Sequence, residues 1–199
     1  KEDDEDAKYQ YKRVLGFYYM ILMITCIFVT MWGKEIIALM SNSAYGAAYL
    51  LLPGLLFGQV MYGVSVIVGY GLSFEKKTNY IFAANVIGAV LNIVLNSPFI
   101  PNFGIEAAAY TTYVGYFVMA ILLYVFAQKF YPCDYAISKV IISNVIIIAL
   151  ATFMNHYEMA LGIRALLTAA SLALIFILYR DAIKDIFMIL VRVKRKIRG

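Results

Sequence analysis

The sequence predicts an all-α integral membrane protein with six transmembrane helices, and three observations carry that prediction. Of 199 residues, 63% are hydrophobic and 15% charged, against about 45–50% and about 25% in soluble domains. Six apolar runs approach the roughly 20 residues needed to cross a hydrocarbon core of about 30 Å. The basic residues fall in alternate connections, as six crossings require. With a mean hydropathy of +0.79, a chain this apolar cannot wrap a single core in polar surface, so a soluble enzyme is excluded.

The runs lie at about 14–33, 46–72, 80–97, 107–127, 140–155 and 163–180. Each is apolar around its whole circumference, which suits lipid and neighbouring helices rather than water. Turn and breaker residues separate them: Ser41-Asn42-Ser43, Ser73 to Lys77, Pro98 to Gly104, and Tyr131-Pro132. The runs are too long for the strands of a β-barrel and lack period-2 alternation.

The segment before the first run holds Lys1, Lys8, Lys12 and Arg13. The second connection holds Lys76 and Lys77, the fourth Lys129 and Lys139, and the C-terminal tail with its boundary residue Arg180 seven more. Fifteen of the 17 basic residues thus fall on one side, leaving Lys34 and Arg164 opposite. Basic loops favour the cytoplasm, so both ends are expected there, in a multi-pass protein of the cell membrane. Residues 1–13 then form a cytoplasmic segment, 14–180 a six-helix lobe, and 181–199 a basic tail. In that tail Ile183, Ile186, Phe187, Leu190, Val193 and Ile197 recur at helical spacing, the pattern of an amphipathic helix on the inner leaflet. Basic residues beside a last span are ordinary orientation signals, so no nucleic-acid partner is expected.

The opening at Lys1, without signal-peptide features, reads as a cropped product. Cys26 and Cys133 have no CxxC spacing and imply neither a disulfide framework nor a metal. A single histidine, His156, excludes the usual zinc constellations. No P-loop is present, Gly69-Tyr70-Gly71 is not a dinucleotide fingerprint, and no cofactor or catalytic residue is expected.

Polar groups inside the runs carry the functional signal. Ala84, Gly88, Asn92 and Asn96 recur at four-residue steps, on one slowly drifting stripe of a helix, with Asn85 beside it. Amides are costly in lipid unless bonded, so the stripe must face protein or water. It is either a small-residue seam with amides as interhelical glue or a polar strip lining a substrate cavity. In the second run Gly54 and Gly58 form a GxxxG that permits close approach, and Pro53 is expected to kink the span. Gln59, mid-span, requires a partner; Ser143 and Asn144 repeat that signal more weakly. Glu106, Glu158 and Arg164 can reach the interface by snorkelling. Of the 17 tyrosines, Tyr18, Tyr19, Tyr110, Tyr113 and Tyr116 fit an interfacial belt, and stacking of some of them on carbohydrate is not separable from it.

The stretch from Lys34 to Lys129 resembles the C-terminal part of polysaccharide-biosynthesis flippases, of the superfamily of multidrug, oligosaccharidyl-lipid and polysaccharide exporters. The resemblance rests on order and spacing: Tyr45 entering a long span, Lys76-Lys77-Thr78, Asn85 through Asn96, and Pro101-x-Phe103-Gly104 followed by Ala107-Ala108-Ala109. It implies two pseudo-symmetric helical lobes around a cavity, with this chain supplying most of the second lobe beside an N-terminal lobe. It also implies that a lipid-linked oligosaccharide crosses the membrane by alternating access, among membrane lipids. Asn85, Asn92, Asn96 and Gln59 are the cavity candidates; Pro53, Gly54, Gly58 and Gly88 are the bending and packing candidates. Ala107 stands where a glycine is common. No Lys or Arg lies within a span, so the cations for a pyrophosphate fall to the other lobe or to a contact elsewhere. The alternatives are a multidrug or small-molecule exporter of the same superfamily, a membrane-embedded glycosyl or acyl transferase, and a non-transporting assembly subunit. A transferase would need the outer residues Lys34, Glu35, Glu106, His156, Glu158 and Arg164 to converge.

Overall fold

A computed structural model describes residues 2–40, 48–156 and 160–185, without side-chain detail at 2–4, 152 and 154–156. Over the described residues each of the six apolar runs lies mainly in one helix: α1 (Glu2–Met40), α2 (Leu52–Phe74), α3 (Thr78–Phe103), α4 (Ile105–Phe130), α5 (Ile137–His156) and α6 (Leu161–Leu178). No strand occurs among the described residues. Among the described residues five helices have the length and apolarity to cross a membrane, and Ile137–Ala151 of α5 is a shorter apolar stretch. At 1.5 Å per residue α5 as a whole is about 30 Å long.

α1 has 39 residues and extends about 58 Å, roughly twice the hydrocarbon thickness. The charged segment before residue 14 is therefore continuous with the first span. Pro53 does not kink a span: a 3₁₀ turn over residues 48–51 leads into α2, and Pro53 sits in its first turn. There its missing N–H is one that no carbonyl of the helix would have met.

The α2–α3 turn shows why two lysines follow the helix. Lys77 N–H reaches Leu72 O at 2.8 Å, while Lys76 takes the left-handed conformation with φ 56°. This is a Schellman-type stop with lysine where glycine is usual. The third connection is shorter than the sequence implies. Pro98 and Pro101 lie inside the last turns of α3, and Gly104 alone joins α3 to α4 at φ 72°, ψ −164°. That backbone region is essentially restricted to glycine.

α4 packs against α2 and α3, α2 against α1, and α1 against both α5 and α6. Apolar burial gives helices little preference for one another over lipid, so small residues and polar links set the contacts. A Cβ on Gly54 would stand 2.9 Å from Ala109 Cβ and 3.2 Å from Tyr110 N, fixing where α2 meets α4. Tyr18 of α1 occupies the space over Gly63 and donates to Gln59 O at 3.2 Å. α3 buries only Ala84 and Gly88, and Phe82, Ile93 and Val94 face outward. After α6 and a turn at Tyr179, residues 180–185 are helical again; most of the expected amphipathic tail, from residue 186 onward, lies outside the described residues.

Candidate functional site

The asparagine stripe meets α4 at a glycine crossing. A Cβ on Gly88 would lie 2.9 Å from Gly115 O, and one on Gly115 would lie 2.9 Å from Gly88 O and 3.2 Å from Asn92 Cβ. Only two glycines allow this reciprocal approach of backbones. The crossing brings Asn92 and Asn96 within reach of Thr111 and Thr112, and the hydrogen bonds run in one direction. Asn96 Nδ2 donates to Asn92 Oδ1 at 2.9 Å, and Asn92 Nδ2 donates to Thr112 Oγ1 at 3.0 Å. Thr112 Oγ1 in turn donates to Ala108 O at 2.7 Å. Beside this relay, Thr111 Oγ1 lies 2.5 Å from Asn96 Oδ1 and 2.9 Å from Ala107 O. With a single proton, the hydroxyl donates to one of them at a time.

On one side of the crossing the helices part to leave a groove of about 440 Å³. Asn85, Asn92 and Thr112 supply its polar lining, Gly88 and Gly115 its floor, and Tyr62, Tyr116 and Met119 its apolar walls. Asn85 is exposed, with one amide N–H donating back to Ile81 O at 2.8 Å; its carbonyl oxygen has no protein partner among the described residues. The stripe thus both joins α3 to α4 and lines the groove. Asn96 and Asn92 bind helix to helix, and Asn92 and Asn85 line the groove. Gln59 stands apart: it is exposed on α2, and its backbone carbonyl, not its side chain, takes the bond from Tyr18. A Cβ on Gly58 would meet the Tyr116 ring at 3.5 Å and Tyr113 N at 3.7 Å, both ordinary contacts.

The sequence reading missed Tyr62 and the α4 half of this site. Thr111 and Thr112 precede Gly115 by four and three residues and so share its face, a small-and-hydroxyl pattern like that of α3, and comparing the two would have paired them. It also misplaced Tyr19. Rather than joining a belt, Tyr19 is fully buried and donates to Val140 O at 3.1 Å, with Asn144 donating to its hydroxyl. Ser143 and Tyr179 are linked at 3.2 Å beside it.

Of the residues considered for a transferase, Arg164, Glu35 and Lys34 come together where α6 meets α1. Arg164 donates to Glu35 and lies 4.5 Å over the Trp32 ring, tying α6 to α1. Glu106 sits in the first turn of α4. His156 and Glu158 lie outside the side chains described. No group of three His, Cys, Asp or Glu side chains able to hold a metal occurs among the described residues.

Residues 1–97 match the family model MatE. That stretch, just under half of the chain, is similar to the MatE family. The match ends within α3, whereas the sequence resemblance extends through α4, so the two overlap over residues 34–97. A protein of Haloferax volcanii named "Probable low-salt glycan biosynthesis flippase Agl15" is 26% identical over 149 residues, covering 74% of this chain and 32% of that protein. The "Uncharacterized membrane protein MJ1068" of Methanocaldococcus jannaschii is 31% identical over 133 residues, covering 60% and 25%. The chain therefore spans a third or less of these relatives. No solved structure matches it. At this level the chain is a multi-pass membrane protein.

Proposed function

We propose that this chain is the C-terminal lobe of a transporter that moves a lipid-linked oligosaccharide across the membrane by alternating access, without covalent catalysis. The observation that carries the reading is the α2–α3–α4 groove. It offers amide and hydroxyl groups beside tyrosine rings, the chemistry that binds sugar hydroxyls by hydrogen bonds and sugar faces by stacking. It brings together no acid–base pair. The MatE match and the flippase name of the Haloferax relative support the same direction. On this reading the groove faces an N-terminal lobe, both ends of this chain are cytoplasmic, and the cations for the pyrophosphate belong to the other lobe. Tyr62, Tyr116 and Met119 would equally suit an apolar drug, which keeps the small-molecule exporter as the second reading.

The test uses the complete protein in proteoliposomes. Flipping of a fluorescent lipid-linked glycan is expected, with a several-fold loss in Asn85→Leu and Asn92→Leu and no ATP requirement. Dye efflux without glycan flipping would replace the first reading by the second. Neither activity, in protein that is folded and inserted, would remove both.

A further inference from the structure

A second cavity lies at the other side of the chain. α1 packs on both α5 and α6, whereas α5 and the end of α6 are joined by side chains across a cleft: Ser143 to Tyr179 at 3.2 Å and Lys139 Nζ to Asp181 at 3.1 Å. A cavity of about 290 Å³ fills this cleft, at the lower end of small-molecule pockets. Arg13, Lys139, Asp181 and Asp185 are among its lining, and Tyr19 and Tyr179 rise from its walls. Gly16 keeps α1 open here, since a Cβ would be only in ordinary contact with Ala182 at 4.0 Å.

Two features define what fits. The first is depth. Arg13 immediately precedes the first apolar run, Lys139 is at the start of the fifth, and Asp181 and Asp185 follow α6. All four charges therefore sit at one membrane–water boundary, the level of lipid headgroups. The second is charge. Arg13 Nε pairs with Asp185 at 2.9 Å, with both side chains about one-fifth exposed (21% and 19%), and Lys139 pairs with Asp181. Lys12, which also lines the cavity, is engaged by Asp134. A simple anion would face two carboxylates, and a simple cation two bases. A ligand carrying one charge of each sign can exchange both pairs at once.

We propose that this cleft seats the headgroup of a zwitterionic phospholipid bearing a primary ammonium, its phosphate between Arg13 and Lys139 and its ammonium between Asp181 and Asp185. The acyl chains lie along the outward apolar faces of α5 and α6, where Ile141, Val145 and Ile177 are exposed. Primary ammonium is specified because each carboxylate needs an N–H, which a trimethylated headgroup lacks. The site is separate from the α2–α3–α4 groove and stands whether or not that groove carries a glycan.

Native mass spectrometry of the complete protein, exchanged into phosphatidylethanolamine, phosphatidylcholine or phosphatidylglycerol, tests this. Expected is one tightly retained phosphatidylethanolamine, at least fivefold preferred over the other two, and little competition from soluble phosphoethanolamine at the same concentration. The paired variant Arg13→Gln/Asp185→Asn, which keeps a neutral hydrogen-bonded pair, is expected to abolish the preference while melting like the parent. If it does not fold, Lys139→Gln and Asp181→Asn singly are expected to weaken the preference. Equal retention of the three lipids, a preference for phosphatidylglycerol, or a preference that survives in the folded variants would overturn the proposal. Competition by soluble phosphoethanolamine as strong as by the lipid would replace the lipid with a free metabolite of the same chemistry.

Discussion

Alanine at Gly88 or Gly115 should separate α3 from α4, and the structure fixes how far. In either case the new Cβ would stand 2.9 Å from a backbone carbonyl oxygen of the facing helix. Ordinary van der Waals contact begins at 3.4 Å, so the helices must part by about half an ångström; neither backbone can swing aside as a side chain would. Overpacking of this kind costs about 1–3 kcal/mol. Gly69 provides the matched control: it is also in a helix, but a Cβ there meets nothing within 4 Å. Gly69→Ala should be stabilising by about 0.5–1 kcal/mol through backbone entropy alone. The double variant Gly88→Ala/Gly115→Ala should cost clearly less than the sum of the single ones, because one separation relieves both clashes; couplings between contacting residues run about 0.5–3 kcal/mol. Reversible unfolding in mixed micelles, followed by circular dichroism, measures all four. Equal loss at Gly69 and Gly88, or strict additivity of the pair, would refute the crossing as the element that sets α3 on α4.

Three further outcomes follow from particular contacts. Thr112→Val combined with Asn92→Ala should give a coupling near the roughly 0.6 kcal/mol average, at most about 1.7, for hydrogen bonds between membrane helices, read by the same unfolding cycle. Gly104→Ala should destabilise the α3–α4 hairpin by about 1–3 kcal/mol, since a side chain is strained at that backbone geometry, and pulse proteolysis should then cut between the helices. Asp134 is held below the usual carboxylate range by its hydrogen bond from Lys12, and Asp181 by its bond from Lys139. Their stabilisation is therefore complete above about pH 3.9, the unfolded-state value, and is lost as the pH falls through the lower folded values. Hydrogen exchange around residues 134–139 and 181–185 should rise in that acid window and not between pH 5 and 8.

Element positions were legible because length and charge placement are strong constraints in a membrane. Twenty apolar residues and alternating basic loops leave few arrangements. What failed were the places where a local breaker rule met a tertiary context. Pro98 and Pro101 read as a loop, yet they fall in the last two turns of α3, where each removes one i to i−4 bond, to Val94 O and Ser97 O, on an exposed helix end. Pro53 read as a kink and starts a helix. Asn92 and Asn96 were legible because an amide in lipid must have a partner, but nothing local to α3 names Thr111 or Thr112 as that partner. Tyr19 was misread for a similar reason. Its ring suits a belt, and only the arrival of α5, with Asn144 and Val140 O, buries it.

The chain is held together by two kinds of contact, and they should answer to different perturbations. Around α4 the links are backbone against backbone at Gly54, Gly88 and Gly115, with neutral hydrogen bonds beside them. On the other side three ion pairs lie at one boundary: Lys12–Asp134 and Arg13–Asp185 tie α1 to the α4–α5 connection and to the segment after α6, and Lys139–Asp181 ties α5 to that segment. Salt screens the second set, with a Debye length of about 3 Å at 1 M, and acid neutralises its carboxylates; neither acts on a glycine crossing. Raising ionic strength should therefore speed hydrogen exchange at residues 134–139 and 181–185 while leaving α3 and α4 unchanged. Equal acceleration in both regions would mean that the ion pairs brace the whole bundle and not one side of it.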